Sequence, residues 1–192
     1  MDERESPSAR PAVAVREATP ADAEAIARAH VRSWQVGYEG LMPRKVLGEL
    51  SVYDRGRRWE TILTADRSAD TWTTVAEAGG EIVAFAGGGP SRDEDTAGGG
   101  ELYAIYVAPE HWNEGVGSAL MDDALRRLSV GGAAHATLWV LEDNARGRHF
   151  YERCGWSADG SRRPIELLGG VVTAMCVRYR ITFLQDGDAA AV

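Results

Sequence analysis

Two hydrophobic periods alternate along this chain. Val13-Ala14-Val15-Arg16-Glu17 reads as a short strand, and beyond it Ala23, Ile26, Ala27, His30, Val31 and Trp34 recur at intervals of three and four. Thr19-Pro20-Ala21-Asp22 stands just ahead with an N-cap residue, a proline for the first turn and an acid at the third position, predicting a helix to about Trp34. Gly37 and Gly40 interrupt that period. Pro43 opens a short helix to Leu50, and Ser51-Val52-Tyr53-Asp54 has the form of a capping start for another that runs to about Ala65.

The pattern then changes to β-branched and apolar runs. Thr71–Glu77 and Glu81–Gly88, joined by Ala78-Gly79-Gly80, predict an antiparallel hairpin. Residues 89–100 carry Pro90, the acids Asp93-Glu94-Asp95 and Gly98-Gly99-Gly100, and are expected to form a mobile loop. Glu101–Val107 is a strand, and Gly115–Leu128 is a helix with Val116, Leu120, Ala124 and Leu128 on one face. Ala136–Leu141 is a buried strand, which completes a βαβ unit with a right-handed connection. Asn144–Arg153 is a further helix, a strand starts at Trp156–Ala158, and Val171–Ile181 is the long final strand. The order predicts an α/β (α+β) protein with a mixed sheet carrying helices on its faces.

Composition narrows the setting. Of 192 residues 44% are apolar and six are Trp, enough for one ordinary domain. Residues 1–11 are charged and lack an apolar period, and 185–192 end in small residues, so both are expected to be loose tails on a single domain at 12–184. A net charge of −8, with no concentrated basic stretch, argues against nucleic acid. Two cysteines, Cys154 and Cys176, are too few for a disulfide framework and suit a reducing, cytoplasmic setting. No run approaches the ~18 apolar residues of a membrane span, and His30, His135 and His149 lack the spacing of a metal site, so no membrane and no metal are expected.

The chemistry concentrates at Val107-Ala108-Pro109-Glu110-His111-Trp112-Asn113-Glu114-Gly115-Val116-Gly117-Ser118. Glycines two apart, between the end of a strand and the start of a helix, expose backbone amides at the positive end of the helix dipole, where a pyrophosphate binds without a basic side chain. A dinucleotide fold would want a third glycine where Leu120 stands, and a P-loop would need Gly-Lys-Ser/Thr. The segment resembles the acetyl-CoA motif of the GNAT superfamily of N-acetyltransferases, Gln/Arg-x-x-Gly-x-Gly/Ala, with Trp112 departing from the usual Gln/Arg. A second block, Leu138 through Trp156, resembles the family's Val-x-x-x-Asn-x-x-Ala-x-x-Phe-Tyr-x-x-x-Gly-Phe, with Gly147 in place of Ala and Trp156 in place of Phe.

The resemblance covers roughly residues 13–183 and implies a GNAT-type fold. That fold is a mostly antiparallel central sheet of six to seven strands, flanked by helices and holding acetyl-CoA at its βαβ unit. It implies transfer of acetyl to a primary amine of a small molecule or a protein N-terminus, by direct attack in a ternary complex, in a monomer or homodimer. Cofactor contacts fall to Ile105, Tyr106, Val107, Asn113, Glu114, Gly115, Val116, Gly117, Ser118, Asn144, Arg146 and Phe150; Arg146 and Arg148 are candidates for the 3′-phosphate or are solvated arginines. Tyr151 takes the catalytic place beside the sulfur, although it also suits a core aromatic next to Phe150. Glu101 matches a glutamate that serves as general base, with a water chain or His111 as competing candidates. By strand alternation Glu101, Tyr103 and Ile105 share a face. Trp34, Tyr38 and Tyr103 are expected at the acceptor, where aromatics suit an amine, and the acids at 93–95 would attract a cationic one. A catalytically degenerate acyl-CoA-binding module, or a nucleotide-binding α/β protein, are the other readings of the same residues.

Overall fold

The computed structural model describes residues 12–65 and 70–183. The tails expected at 1–11 and 185–192 lie outside them. Val13–Glu17 forms β1, antiparallel to β2 (Trp72–Ala78). The chain then turns at Gly79 and Gly80, at φ 61° and 84°, into β3 (Glu81–Pro90). Left-handed backbone at two consecutive positions is what a tight hairpin demands and what glycine permits. With β4 (Gly100–Val107), β5 (His135–Leu141), β6 (Ser157–Leu167) and β7 (Val172–Thr182) these make one seven-stranded sheet, ordered β1-β2-β3-β4-β5-β7-β6.

Helices cover both faces. On one side α1 (Ala23–Gly37) and α3 (Val52–Thr64) bury Ile26, Ala27 and Trp59 against Val75 and Phe85, with the short α2 (Arg44–Gly48) between them in sequence. Ser51 caps α3 as its sequence predicts, its hydroxyl accepting from Asp54 N at 3.1 Å. On the other side α4 (Val116–Val130) packs Leu120, Met121 and Ala124 against Ala84, Ala86, Leu102 and Leu138. The last helix, α5 (Ala145–Arg153), follows β5.

One junction in the sheet is parallel. β4 and β5 pair only at Gly100↔Ala136 and Glu101↔Thr137, then part. Each keeps its antiparallel neighbour, β4 with β3 and β5 with β7 as far as Leu141↔Cys176, so the sheet opens between them as a wedge.

Two expectations are corrected. Gly87 faces Ala104 and Gly88 faces Leu102, which leaves Tyr103 unmatched in a β-bulge. The alternation is reset there: Ile105 joins Leu102 on the α4 side and does not share a face with Glu101. Residues 89–100 are extensively tied: β3 reaches Pro90, a 3₁₀ turn spans Glu94–Thr96, and Asp93 accepts from Trp139 Nε1 at 2.7 Å and pairs with Arg163 at 2.7 Å. Arg178 grips both carboxylate oxygens of Asp95 at 2.8 and 2.6 Å. The strand expected to start at Trp156–Ala158 begins at Ser157 and runs for eleven residues. Its polar run carries Gly160 and Pro164, which suits an outer strand with one side free of partners.

Candidate active site

The wedge between β4 and β5 is a cleft of about 960 Å³. At its α4 end, Asn113 and Gly115 hold φ of 62° and 89°. An alanine at Gly115 would find space but not an easy backbone conformation. The first helical bond of α4 is Ala119 N to Gly115 O at 3.0 Å, so the amides of Val116, Gly117 and Ser118 precede it. Gly117 sits against the Phe150 ring, where an added Cβ would come within 3.3 Å. A glycine-walled cradle with free amides and the helix dipole behind it fits a pyrophosphate.

Asn144 is the N-cap of α5, its Oδ1 accepting from Gly147 N at 2.9 Å. A Cβ at Gly147 would reach the Asn144 amide at 2.7 Å, which explains glycine where alanine is usual. Tyr151, two turns on, lines the cleft with Asn144. Its hydroxyl makes no hydrogen bond to another described residue, and burial together with the nearby Tyr106 pushes the phenol far above its ordinary range. It stays protonated at neutral pH and is available as a donor.

Trp112 and Arg146 meet here. The Arg146 guanidinium lies 3.7 Å from the Trp112 ring centroid and donates from Nη2 to Gly37 O at 3.1 Å, while Trp112 Nε1 donates to Val107 O at 2.9 Å. The positive charge absent at position 112 is thus returned to the same place by stacking from α5. Arg148 points elsewhere, bonding the Tyr179 hydroxyl at 3.1 Å and Glu142 O at 3.1 Å. Because Ala108 N donates to Val83 O on β3 at 2.8 Å, strand alternation turns the amides of Ile105 and Val107 toward the open side.

Of the expected cofactor residues, Ile105, Tyr106, Val107, Asn113, Gly115, Gly117, Ser118, Asn144, Arg146 and Phe150 line the cleft. Val116 is buried in the core, and the Glu114 carboxylate turns to His111 Nδ1 at 2.9 Å, leaving these two with backbone only.

The acceptor side differs from expectation. Trp34 is 6% exposed and does not line the cleft; it packs edge-on behind Tyr38, ring centroids 4.8 Å apart. Tyr38 and Tyr106 do line it, their hydroxyls 3.2 Å apart. Tyr103 also lines it, its hydroxyl donating to Pro90 O at 2.7 Å. Glu101, expected as a base, is 2% exposed and lies outside the lining. Arg92 encloses its carboxylate with Nε at 3.1 Å, Nη2 at 2.5 Å and its backbone N–H at 2.9 Å. Both carboxylate oxygens are thus taken up by Arg92, and the group is turned away from the cleft. The lining residues the sequence did not single out include Arg92, Trp139, Arg163, Ile165 and Cys176. The acids at 93–95 are not among them.

A glycine-walled anion cradle beside a split parallel junction, with a phenol hydroxyl in the split, is an arrangement that an acyl-group transferase acting on a nucleotide-bearing thioester would need. Comparison with known proteins gives the family. The chain matches the acetyltransferase (GNAT) family over residues 25–156. It is 33% identical over 132 residues to the uncharacterised N-acetyltransferase YuaI of Bacillus subtilis, covering 69% of this chain and 73% of that one. It is 34% identical over 97 residues to the mycothiol acetyltransferase of Streptomyces griseus, an overlap of 48% of this chain and 31% of that one. In fold it is similar to the PaiA N-acetyltransferase of Thermoplasma acidophilum in complex with coenzyme A, with TM-score 0.69, 18% identity, and 90% and 99% of the two chains covered. The chain belongs to the GNAT family of acetyltransferases, enzymes that depend on acetyl-CoA. Among the described residues no helix is long and apolar enough to cross a membrane.

Proposed function

We propose that the protein transfers acetyl from acetyl-CoA to the primary amine of a small molecule by direct attack, with both reactants held in the cleft. A peptide N-terminus is the other amine that this chemistry admits. The observation that carries the reading is the wedge itself: two strands part beside the amide-rich start of α4, with the unbonded Tyr151 hydroxyl in the gap.

Acetyl-CoA, when bound, supplies an acetyl thioester for attack by the amine. The amides of Val116, Gly117 and Ser118 would hold its pyrophosphate, and Arg146 on Trp112 would add charge nearby. The Val107 N–H, turned into the gap, is a donor for a developing oxyanion. Tyr151 holds a proton at its Oη for a departing thiolate. No Asp or Glu among the described residues lines the cleft, while His111, tied to Glu114 at 2.9 Å, and His149 do; the amine's proton is lost to water at the open side or to one of these imidazoles.

The missing carboxylate is also the observation that favours a second reading, a catalytically degenerate acyl-CoA-binding module. Thiol release measured with a panel of amines separates the two. Turnover of at least one amine supports transfer, whereas tight acetyl-CoA binding with no acceptor turned over would leave the module.

A further inference from the structure

At the acceptor side of the cleft the side-chain charges are arranged in an order that ion pairing alone does not explain. Arg92 and Arg163 each pair with a buried acid, Arg92 with Glu101 at 2.5 Å and Arg163 with Asp93 at 2.7 Å. The two carboxylates are 3% and 4% exposed; the two arginine side chains are 62% and 49% exposed, and both line the cleft. Each pair therefore keeps its acid in the protein and turns its base outward.

The guanidinium planes are fixed as well. Arg92 lies 4.1 Å from the Tyr103 ring centroid and Arg163 lies 4.2 Å from that of Trp139. Both rings are pinned, Tyr103 by its bond to Pro90 O at 2.7 Å and Trp139 by its bond to Asp93 Oδ2 at 2.7 Å. The paired acids use Nε and Nη2 of Arg92 and Nη2 of Arg163. Among the described residues nothing engages Nη1 of Arg92, or Nε and Nη1 of Arg163. Two further acids nearby are committed elsewhere: Arg178 takes Asp95 at 2.6 Å and Asp159 at 2.6 Å. Two stacked, oriented guanidiniums with free N–H edges on one cleft are suited to a planar oxyanion.

We infer that the acceptor is a small amine that also carries a carboxylate, bound by Arg92 and Arg163 while its amine reaches toward β4 and Tyr151. The inference rests on the acetyltransferase reading and deepens it. An amino-acid-like acceptor has the two groups a few bonds apart, whereas a peptide N-terminus has no carboxylate at that spacing. It also reverses the expectation that the acids at 93–95 draw in a cation, because Asp93 and Asp95 hold arginines.

The test compares wild-type kcat/KM for matched pairs of amines, each a free amino acid and its own C-terminal amide, with acetyl-CoA affinity measured separately by titration calorimetry. The carboxylate member is expected to be favoured at least 10-fold, the scale of one charge-assisted hydrogen bond. Arg163→Gln, which leaves Asp93 its partners Trp139 and Arg178, is expected to cut the preference for the carboxylate member several-fold and to leave the acetyl-CoA dissociation constant unchanged. Since Arg92→Gln would strand the buried Glu101, Arg92→Lys is the second variant and is expected to cut the same preference several-fold. Equal or better use of the amides, with acetyl-CoA bound normally, overturns the inference and leaves the acetyltransferase reading standing. Failure of the wild-type protein to bind acetyl-CoA overturns both.

Discussion

The guanidinium of Arg146 rests 3.7 Å from the centre of the Trp112 ring, joining the first turn of α5 to the loop before α4 across the mouth of the cleft. If this stack supplies the charge that position 112 lacks, Arg146→Ala weakens coenzyme A binding by about tenfold, the value of one charge-assisted contact. Added salt narrows the gap between the two proteins. Calorimetric titration at two ionic strengths checks both points, and equal dissociation constants would remove Arg146 from the cofactor site.

Tyr151→Phe is expected to lower kcat by roughly 100-fold, the lower range for loss of a general acid. Acetyl-CoA affinity should stay within twofold in this variant, because the ring remains against Phe150 with centroids 5.6 Å apart. Steady-state rates alongside direct binding check this; wild-type kcat in the variant would show that the hydroxyl donates nothing.

Gly117→Trp is expected to abolish coenzyme A binding. Even a methyl group there meets Phe150 at 3.3 Å and Val107 at 3.6 Å, and an indole would fill the cradle. The measurement is thermal stabilisation by coenzyme A, large for the wild type and absent for the variant, with circular dichroism confirming that the variant is folded. Retained stabilisation would move the pyrophosphate away from this turn.

Glu101→Gln separates base from anchor. An anchor releases Arg92, so the acceptor KM rises and thermal stability falls while the acid limb of the kcat profile keeps its position. Loss of that limb in the variant would restore Glu101 as the proton acceptor.

The buried His30 ring accepts the Trp59 Nε1–H at Nδ1 (3.2 Å), and burial lowers its pKa to about 3. The ordinary value is near 6.5, so between those limits the unfolded chain takes up a proton that the folded one refuses. Stability from this residue is complete above pH 6.5 and falls as pH drops toward 3, at up to about 1.4 kcal/mol per pH unit. Urea unfolding at pH 7 and pH 5 should show a smaller loss in His30→Gln than in the wild type; identical losses would place the proton uptake elsewhere.

What the sequence revealed was mostly local. Caps at Ser51 and Asn144, glycines 115 and 117 and the period of α4 act within a few residues of themselves, and the structure puts them where their spacing implies. The unread parts depend on partners far along the chain. Asp93 looks like part of an acidic loop until Trp139, Arg163 and Arg178 are brought to it from three other strands. Glu101 looks like a candidate base until the segment after β3 brings Arg92 to it. The bulge at Tyr103 depends on register against Gly87 and Gly88, where a side chain at Gly88 would strike Trp72 at 2.6 Å. The polar sequence of β6 hides a strand because an outer strand has little apolar surface to bury.

A sheet of seven strands ordinarily has two borders, yet this one has a third in its middle. Where β4 leaves β5, the facing rows of both strands border a cleft in the middle of the sheet. Such a seam behaves like a border: amides at Ile105 and Val107 exchange hydrogen faster than their central position suggests, and whatever seats itself there takes the part of an absent eighth strand, knitting two half-sheets into one.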